Sequence, residues 1–214
     1  MEMTEKMQQK LNDGREYRAM TLENAEDQDF MVRGYATTFN QPYHLYNTAE
    51  GKEVREMVDP NAFAETDMSD VIMQYDHEGR VFARLSNGTL KIEPDQHGLL
   101  VSADLSGTNE GRNLYEEIKG GYTNKMSFGF TVKDSSLVPD GDGYLRTIKS
   151  IGKLYDVSAV SIPANDFTEI SARSHCDGEI TEIEAELLRA EEEARKLAEQ
   201  KEILSNRLKA LRKE

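Results

Sequence analysis

The positions from Ile180 to Leu211 place the hardest constraint on how this chain can fold. Ile180, Ile183, Leu187, Ala190, Ala194, Leu197, Lys201, Leu204, Leu208 and Leu211 follow one another at alternating steps of three and four. Only a helix gathers such positions into one stripe, and a seam kept up for about five heptads has coiled-coil spacing. Lys201 is the one break in the apolar run. Such a stripe either pairs with a copy of itself, a partner helix or the body of the protein, or belongs to a single solvated helix dense in Glu and Lys pairs. The continuity of the seam favours pairing.

Upstream the texture is different. Period-two alternation and turn formers replace the heptads, and the apolar runs 30–39, 70–76, 98–105, 125–132 and 153–162 read as strands. Asn40-Gln41-Pro42, Asn87-Gly88, Gln96-His97-Gly98 and 139–143 read as turns between them. One helix is predicted from Asn109 to Lys119, with Leu114, Tyr115 and Ile118 on its inner face and Gly120-Gly121 as its stop. Residues 1–16 are polar, lack a sustained pattern and read as a flexible arm. The expected organisation is an arm over 1–16, a mainly β domain with flanking helices (α+β) over 17–175, and a helical heptad tail over 176–214.

Composition narrows the function. A formal charge of −14 argues against nucleic-acid binding, which needs clustered Lys and Arg. Cys176 is the only cysteine, so no intramolecular disulfide can form, which fits a reducing cytoplasm. No stretch approaches the roughly 20 apolar residues of a membrane span, and the N-terminus lacks an apolar signal core. The expectation is a soluble, cytoplasmic protein with no membrane partner. No P-loop, dinucleotide-type glycine fingerprint or Cys/His cluster at zinc spacing is present, so neither cofactor nor metal is expected.

Hydrolytic chemistry then has to come from side chains alone. In GGYTNKMSFGFTV (120–132), Met126, Phe128 and Phe130 alternate as a core face, and Ser127 shares the other face with Lys125, Gly129 and Thr131. Gly129 leaves room above the strand beside the serine, or marks a bulge. A strand serine is either small polar filler or a nucleophile, and only a neighbouring base makes it the latter. Of four histidines, His44 lies in a polar loop, His97 in a turn and His175 at the domain boundary. His77 differs: it ends the strand 70–76, where scaffolds place reactive groups in loops. Asp156 lies in the apolar strand of KLYDVSAVSIPAN on one face with Leu154, Ser158, Val160 and Ile162. Burial there demands a partner for the carboxylate, either a structural cation or an imidazole.

In this order the stretches VRGYATTFNQPY, MQYDHEGRVFARLSNGTLKI, GLLVSADL, GRNLYEEIKGG, MSFGF and LYDVSAVSIPAN resemble the tailed-phage prohead (capsid maturation) serine protease family, over about Met31 to Asn165. The resemblance implies a serine endopeptidase with a β-barrel similar to that of the herpesvirus assemblins. It implies Ser127 as nucleophile, His77 as general base and Asp156 as the third member. The family often has Asn before this histidine and Asp after it. Here Asp76 precedes His77 and Glu78 follows, so both stay open as competitors of Asp156. Backbone amides near Gly129 and the guanidinium of Arg112 are candidate oxyanion donors. The resemblance further implies digestion of scaffolding protein, and of the protease itself, inside the assembling procapsid in the host cytoplasm. The partners are then scaffold, major capsid protein and a second copy joined through the tail. A non-catalytic assembly protein acting through its C-terminal helix is the alternative, followed by a hydrolase of another ester or amide.

Overall fold

Two long strands organise the protein, and most of the other elements hang from them. The computed structural model describes residues 5–21, 30–161 and 165–211. Strands β1 (Glu16–Thr21), β2 (Met31–Thr38), β3 (Tyr43–Asn47), β4 (Glu53–Val58), β5 (Ile72–Tyr75), β6 (Glu78–Arg84), β7 (Leu90–Pro94) and β8 (Gly98–Asp104) precede helix α2 (Asn109–Lys119). The long strands β9 (Lys125–Asp140) and β10 (Gly143–Val160) follow as an antiparallel hairpin. A short helix α1 (Glu5–Asn12) opens the chain and a 47-residue helix α3 (Asn165–Leu211) follows the strands.

The strands predicted at 125–132 and 153–162 thus belong to the open-end halves of a longer hairpin that turns within the expected 139–143 segment. β10 is long enough to change partners along one edge. Its first half pairs in parallel with β4 (Tyr144 opposite Val54), its second in parallel with β5 (Asp156 opposite Ile72). With β1 on the far side of β9, β3 beside β4 and β6 beside β5, this makes a seven-stranded sheet. β2, β8 and β7 form a separate three-stranded sheet.

Val32, Leu99 and Val101 of the smaller sheet meet Met126, Phe128, Ile148 and Val157 of the larger one in a common core, together with Leu114 and Ile118 of α2. Phe128 and Phe130 stack with ring centroids 4.6 Å apart. α2 begins and ends where the sequence places it. The Thr108 side chain caps the Gly111 amide, Gly120 closes the helix, and Gly121 follows with φ of 76°.

Two expectations are corrected here. Among the described residues no closed barrel forms: β2, β8 and β7 keep their own sheet, which touches the larger one through the bridge Phe39–Val58. Residues read as a patternless arm include α1 and the start of β1, where Glu16 is buried.

The chain divides into two compact units, Met1–Arg173 and Ser174–Glu214. In the second, Leu187, Leu197 and Leu204 of the heptad seam are 49%, 51% and 61% exposed, so the stripe is helical but unburied along them. No coiled coil is found among the described residues. None of their helices is long and apolar enough to cross a membrane.

Candidate active site

The register of three neighbouring strands places the candidate residues in two adjacent rows on one face of the large sheet. In the first row Ala19 of β1 lies opposite Ser127 of β9, which lies opposite Ser158 of β10. In the second, Tyr17 lies opposite Gly129, and Gly129 opposite Asp156. Residues two apart on a strand share a face, so Ser127, Asp156 and Ser158 point the same way.

A local irregularity makes this possible. Leu154 pairs with Phe130 and Asp156 with Gly129, so Tyr155 is an extra residue on β10. Simple alternation groups Leu154 with Asp156. The bulge instead turns Leu154 into the core with Val157 and leaves Asp156 on the serine face. The expected shared face of Leu154 and Asp156 is therefore corrected, while Met126, Phe128 and Phe130 form the predicted core face.

Gly129 proves to serve the carboxylate. A Cβ there would come within 2.7 Å of Asp156 Oδ2 and 2.7 Å of the Tyr17 ring. The hollow over this glycine is filled by those two side chains.

His77 reaches the rows from the tight turn joining β5 to β6. Tyr75 pairs with Glu78, and the two residues between, Asp76 and His77, have φ of 48° and 59°. Two positive φ values in a two-residue hairpin loop are the pattern of a type I′ turn, which L-residues other than Asn and Asp adopt reluctantly. The surroundings hold it in place. The Asp76 amide donates to the Ala159 carbonyl at 2.9 Å, and the Asp76 carboxylate accepts from the Ser161 amide and hydroxyl, each at 2.9 Å. The Lys10 ammonium donates to the His77 carbonyl at 2.6 Å. Asp76 thus fastens the turn to β10, and the carboxylate that meets the imidazole is that of Asp156.

The turn swings His77 over the rows. Its Nε2 lies 2.8 Å from Ser127 Oγ, and its Nδ1 is hydrogen-bonded to Asp156 Oδ1. With Nδ1–H donating to the carboxylate, Nε2 presents a lone pair to the serine hydroxyl. Ser158 Oγ donates to the same Asp156 Oδ1 at 2.9 Å. The Tyr17 ring packs edge-on against the imidazole with centroids 4.5 Å apart.

Ser127 and Ser158 are fully buried, and His77 and Asp156 are 2% exposed. Burial by itself would raise the Asp156 carboxyl. The charge and hydrogen bond of His77, the Ser158 hydroxyl and the nearby Lys10 ammonium outweigh it and hold the group below the usual carboxylate range. Burial, reinforced by the Asp156 charge, pushes the Tyr17 phenol well up. The chemistry open to this arrangement is proton transfer from a serine to an imidazole whose far side is fixed by a carboxylate.

The other candidates lie elsewhere. His44 is exposed on β3, and His97 is exposed and packs against Tyr35 at 4.5 Å. The side chain of His175 lies outside the described residues. Arg112 donates to the Ser106 carbonyl and to Asn109 Oδ1, at the first turn of α2. No group of three or more His, Cys, Asp or Glu among the described residues is placed to hold a metal ion.

Sequence reasoning missed a second buried constellation. Arg18 of β1 donates to Glu56 Oε1 and Oε2 at 2.5 and 2.8 Å and to Glu16 Oε2 at 2.6 Å. Arg146 of β10 donates to Glu16 at 2.7 and 2.9 Å and to Glu56 at 2.9 Å, and the Tyr43 hydroxyl donates to Glu56 Oε1 at 2.5 Å. All four charged residues are at most 3% exposed. Desolvation opposes ionisation of Glu16, but Arg18 and Arg146 together lower its pKa to about 2. The only hint in the sequence is Glu16 and Arg18 two apart in a strand-length segment, which puts both on the face opposite Tyr17.

A sequence profile described as caudovirus prohead serine protease matches residues 15–181. The chain belongs to the caudovirus prohead serine protease family. The matched span runs from the residue before β1 into α3 and contains both rows of the site. This prohead protease is therefore a serine protease of capsid maturation. Among solved structures it is similar to the bacteriophage T4 capsid assembly protease, gp21, at 12% identity over 68% of this chain and 98% of that one, with a TM-score of 0.42. No curated protein matches the chain.

Proposed function

We propose that this prohead protease is an endopeptidase in which Ser127 is the nucleophile, His77 the general base and Asp156 the group that orients the imidazole. The carrying observation is the continuous relay from Ser127 Oγ through both ring nitrogens of His77 to Asp156. In the first step Oγ attacks the scissile carbonyl and its proton passes to Nε2, while Asp156 stabilises the imidazolium. Collapse of the tetrahedral intermediate breaks the C–N bond, and the leaving amine takes the proton from Nε2. Water, deprotonated by His77, then hydrolyses the acyl-serine and regenerates the hydroxyl. Since Ser127 is fully covered, a peptide carbonyl reaches Oγ only when the packing above it parts.

The substrates on this reading are phage scaffolding protein and the protease itself, cut inside the procapsid as it assembles in the host cytoplasm, with major capsid protein as the neighbouring partner. An extended peptide pairing beside a sheet edge supplies backbone recognition. The heptad seam of α3 pairs with a second copy or with a scaffold helix, because Leu187, Leu197 and Leu204 lie exposed at coiled-coil spacing. Nucleic acid and membrane have no part in it.

Co-expression with capsid and scaffolding proteins tests the reading. Wild type should yield shortened scaffold bands, and Ser127→Ala should leave full-length ones. Identical full-length bands from both would overturn it in favour of an assembly role without catalysis.

A further inference from the structure

Beyond the three residues of the relay, one more buried hydroxyl converges on it. Ser158 lies opposite Ser127 on the neighbouring strand and is fully buried. Its hydroxyl donates at 2.9 Å to Asp156 Oδ1, the oxygen that also receives His77 Nδ1. The other oxygen, Oδ2, occupies the hollow over Gly129 next to the Tyr17 ring.

We propose that Ser158 is a positioning residue of the catalytic relay: its hydroxyl holds the Asp156 carboxylate at one rotation about its last torsion, and so fixes the imidazole over Ser127. This rests on the reading of Ser127, His77 and Asp156 given above.

A carboxylate on a short side chain turns easily about its last torsion, where rotamer preferences are broad. Two donors on a single oxygen remove that freedom, and the glycine hollow gives the second oxygen only one place to lie. Small side chains at both Ser127 and Ser158 also leave the space the imidazole ring occupies above the rows. A side chain longer than threonine at 158 would sit beside the nucleophile and displace the ring. An alanine would keep the space but free the carboxylate.

The groups facing Asp156 are His77 from the β5–β6 turn, Ser158 from its own strand, Tyr17 from β1 and the Lys10 ammonium from α1. Removing the Ser158 donor leaves the carboxylate with more negative charge for the imidazole, so the protonated, inactive form of the relay persists to higher pH. Ser158 touches neither substrate nor the reacting atoms, and its effect belongs to kcat rather than to KM.

The test is the pH profile of kcat and KM on a scaffold-derived peptide, for wild type, Ser158→Ala, Ser158→Thr and Ser127→Ala. Ser158→Ala is expected to lose roughly 10- to 100-fold in kcat, the scale of a small misplacement of a catalytic group. Its KM should be near that of wild type and its acid limb should move to higher pH. Ser158→Thr, which keeps the hydroxyl, should restore the acid limb to its wild-type position. If Ser158→Ala folds and keeps the wild-type kcat and pH profile while Ser127→Ala is inactive, Ser158 has no such role. The same holds if Ser158→Ala loses rate with no movement of the acid limb, since packing alone then accounts for the loss. Activity surviving in Ser127→Ala would instead overturn the reading beneath the proposal.

Discussion

Single residues carry the geometry of this site through very small margins. Gly129 has no positive φ to explain it, although it lies opposite the bulge at Tyr155. It is required because Asp156 Oδ2 and the Tyr17 ring occupy the volume a methyl group would take. Gly129→Ala is therefore expected to cost about 1–3 kcal/mol of stability, the usual penalty of overpacking. It should also cost most of the activity, because the group displaced is the one that orients His77; denaturant melts and cleavage rates on the same variant check both. Asp76 acts at the other end of the imidazole. Its carboxylate ties a turn with two positive φ values to Ser161, so Asp76→Ala should lower stability by about 1 kcal/mol and lower kcat. Asp76→Asn, which tolerates the left-handed region, should do less harm. Which carboxylate meets His77 is not legible from single residues. Asp76, Glu78 and Asp156 are all acidic and all consistent in sequence with a place beside His77. Only the turn conformation and the bulge at Tyr155 distinguish the role of Asp76 from that of Asp156, and neither leaves a mark in composition or spacing.

At the scale of elements, period-two alternation was readable wherever a strand buries one face and exposes the other. It was least informative on short edge strands such as β3 and β7. The β9–β10 hairpin was visible only in its halves remote from the turn, because the halves nearer the turn interleave charged and polar residues with the buried Tyr144, Ile148 and Ile151. β1 escaped for a different reason: its face opposite Tyr17 is charged, and it is held by ion pairs to Glu56 and Arg146 from distant strands. Breaking that set leaves an uncompensated buried charge. Arg146→Met should destabilise the protein by roughly 3–5 kcal/mol. Because β1 also carries Tyr17 against His77, activity should fall with it. The pH dependence follows from Glu16, whose pKa drops from an ordinary 4.5 to about 2 on folding. Its contribution is fully present above about pH 4.5 and is lost as pH falls towards 2; Asp156, lowered in the same direction, adds to this. Thermal melts should therefore show Tm falling steeply between about pH 4.5 and 2, and Glu16→Gln should flatten that fall. An equally steep fall in Glu16→Gln would assign the acid sensitivity to other carboxylates.

The whole molecule joins a protease unit to a helix whose seam is buried at Ile180 but exposed at Leu187, Leu197 and Leu204. The heptad spacing was the clearest sequence feature, and the helix it specifies is present in full. Spacing does not specify what meets the seam, since a/d periodicity is the same for a second copy, a partner helix or a single solvated helix. If the partner is a second copy, Leu187→Glu combined with Leu197→Glu should lower the molar mass measured by light scattering for the full chain. An unchanged mass would rule out self-pairing through these positions. The expected closed barrel is not found among the described residues. Barrel closure depends on which strand edges hydrogen-bond, and alternation within a strand does not specify that. The central claim is that Ser127, His77 and Asp156 act as one catalytic unit, and a double-mutant cycle on scaffold cleavage tests it most directly. Ser127→Ala, His77→Ala and the double variant should all fall to the same residual rate, roughly four to six powers of ten below wild type. A double variant whose loss is the product of the two single losses, or a Ser127→Ala that cleaves at the wild-type rate, would contradict it.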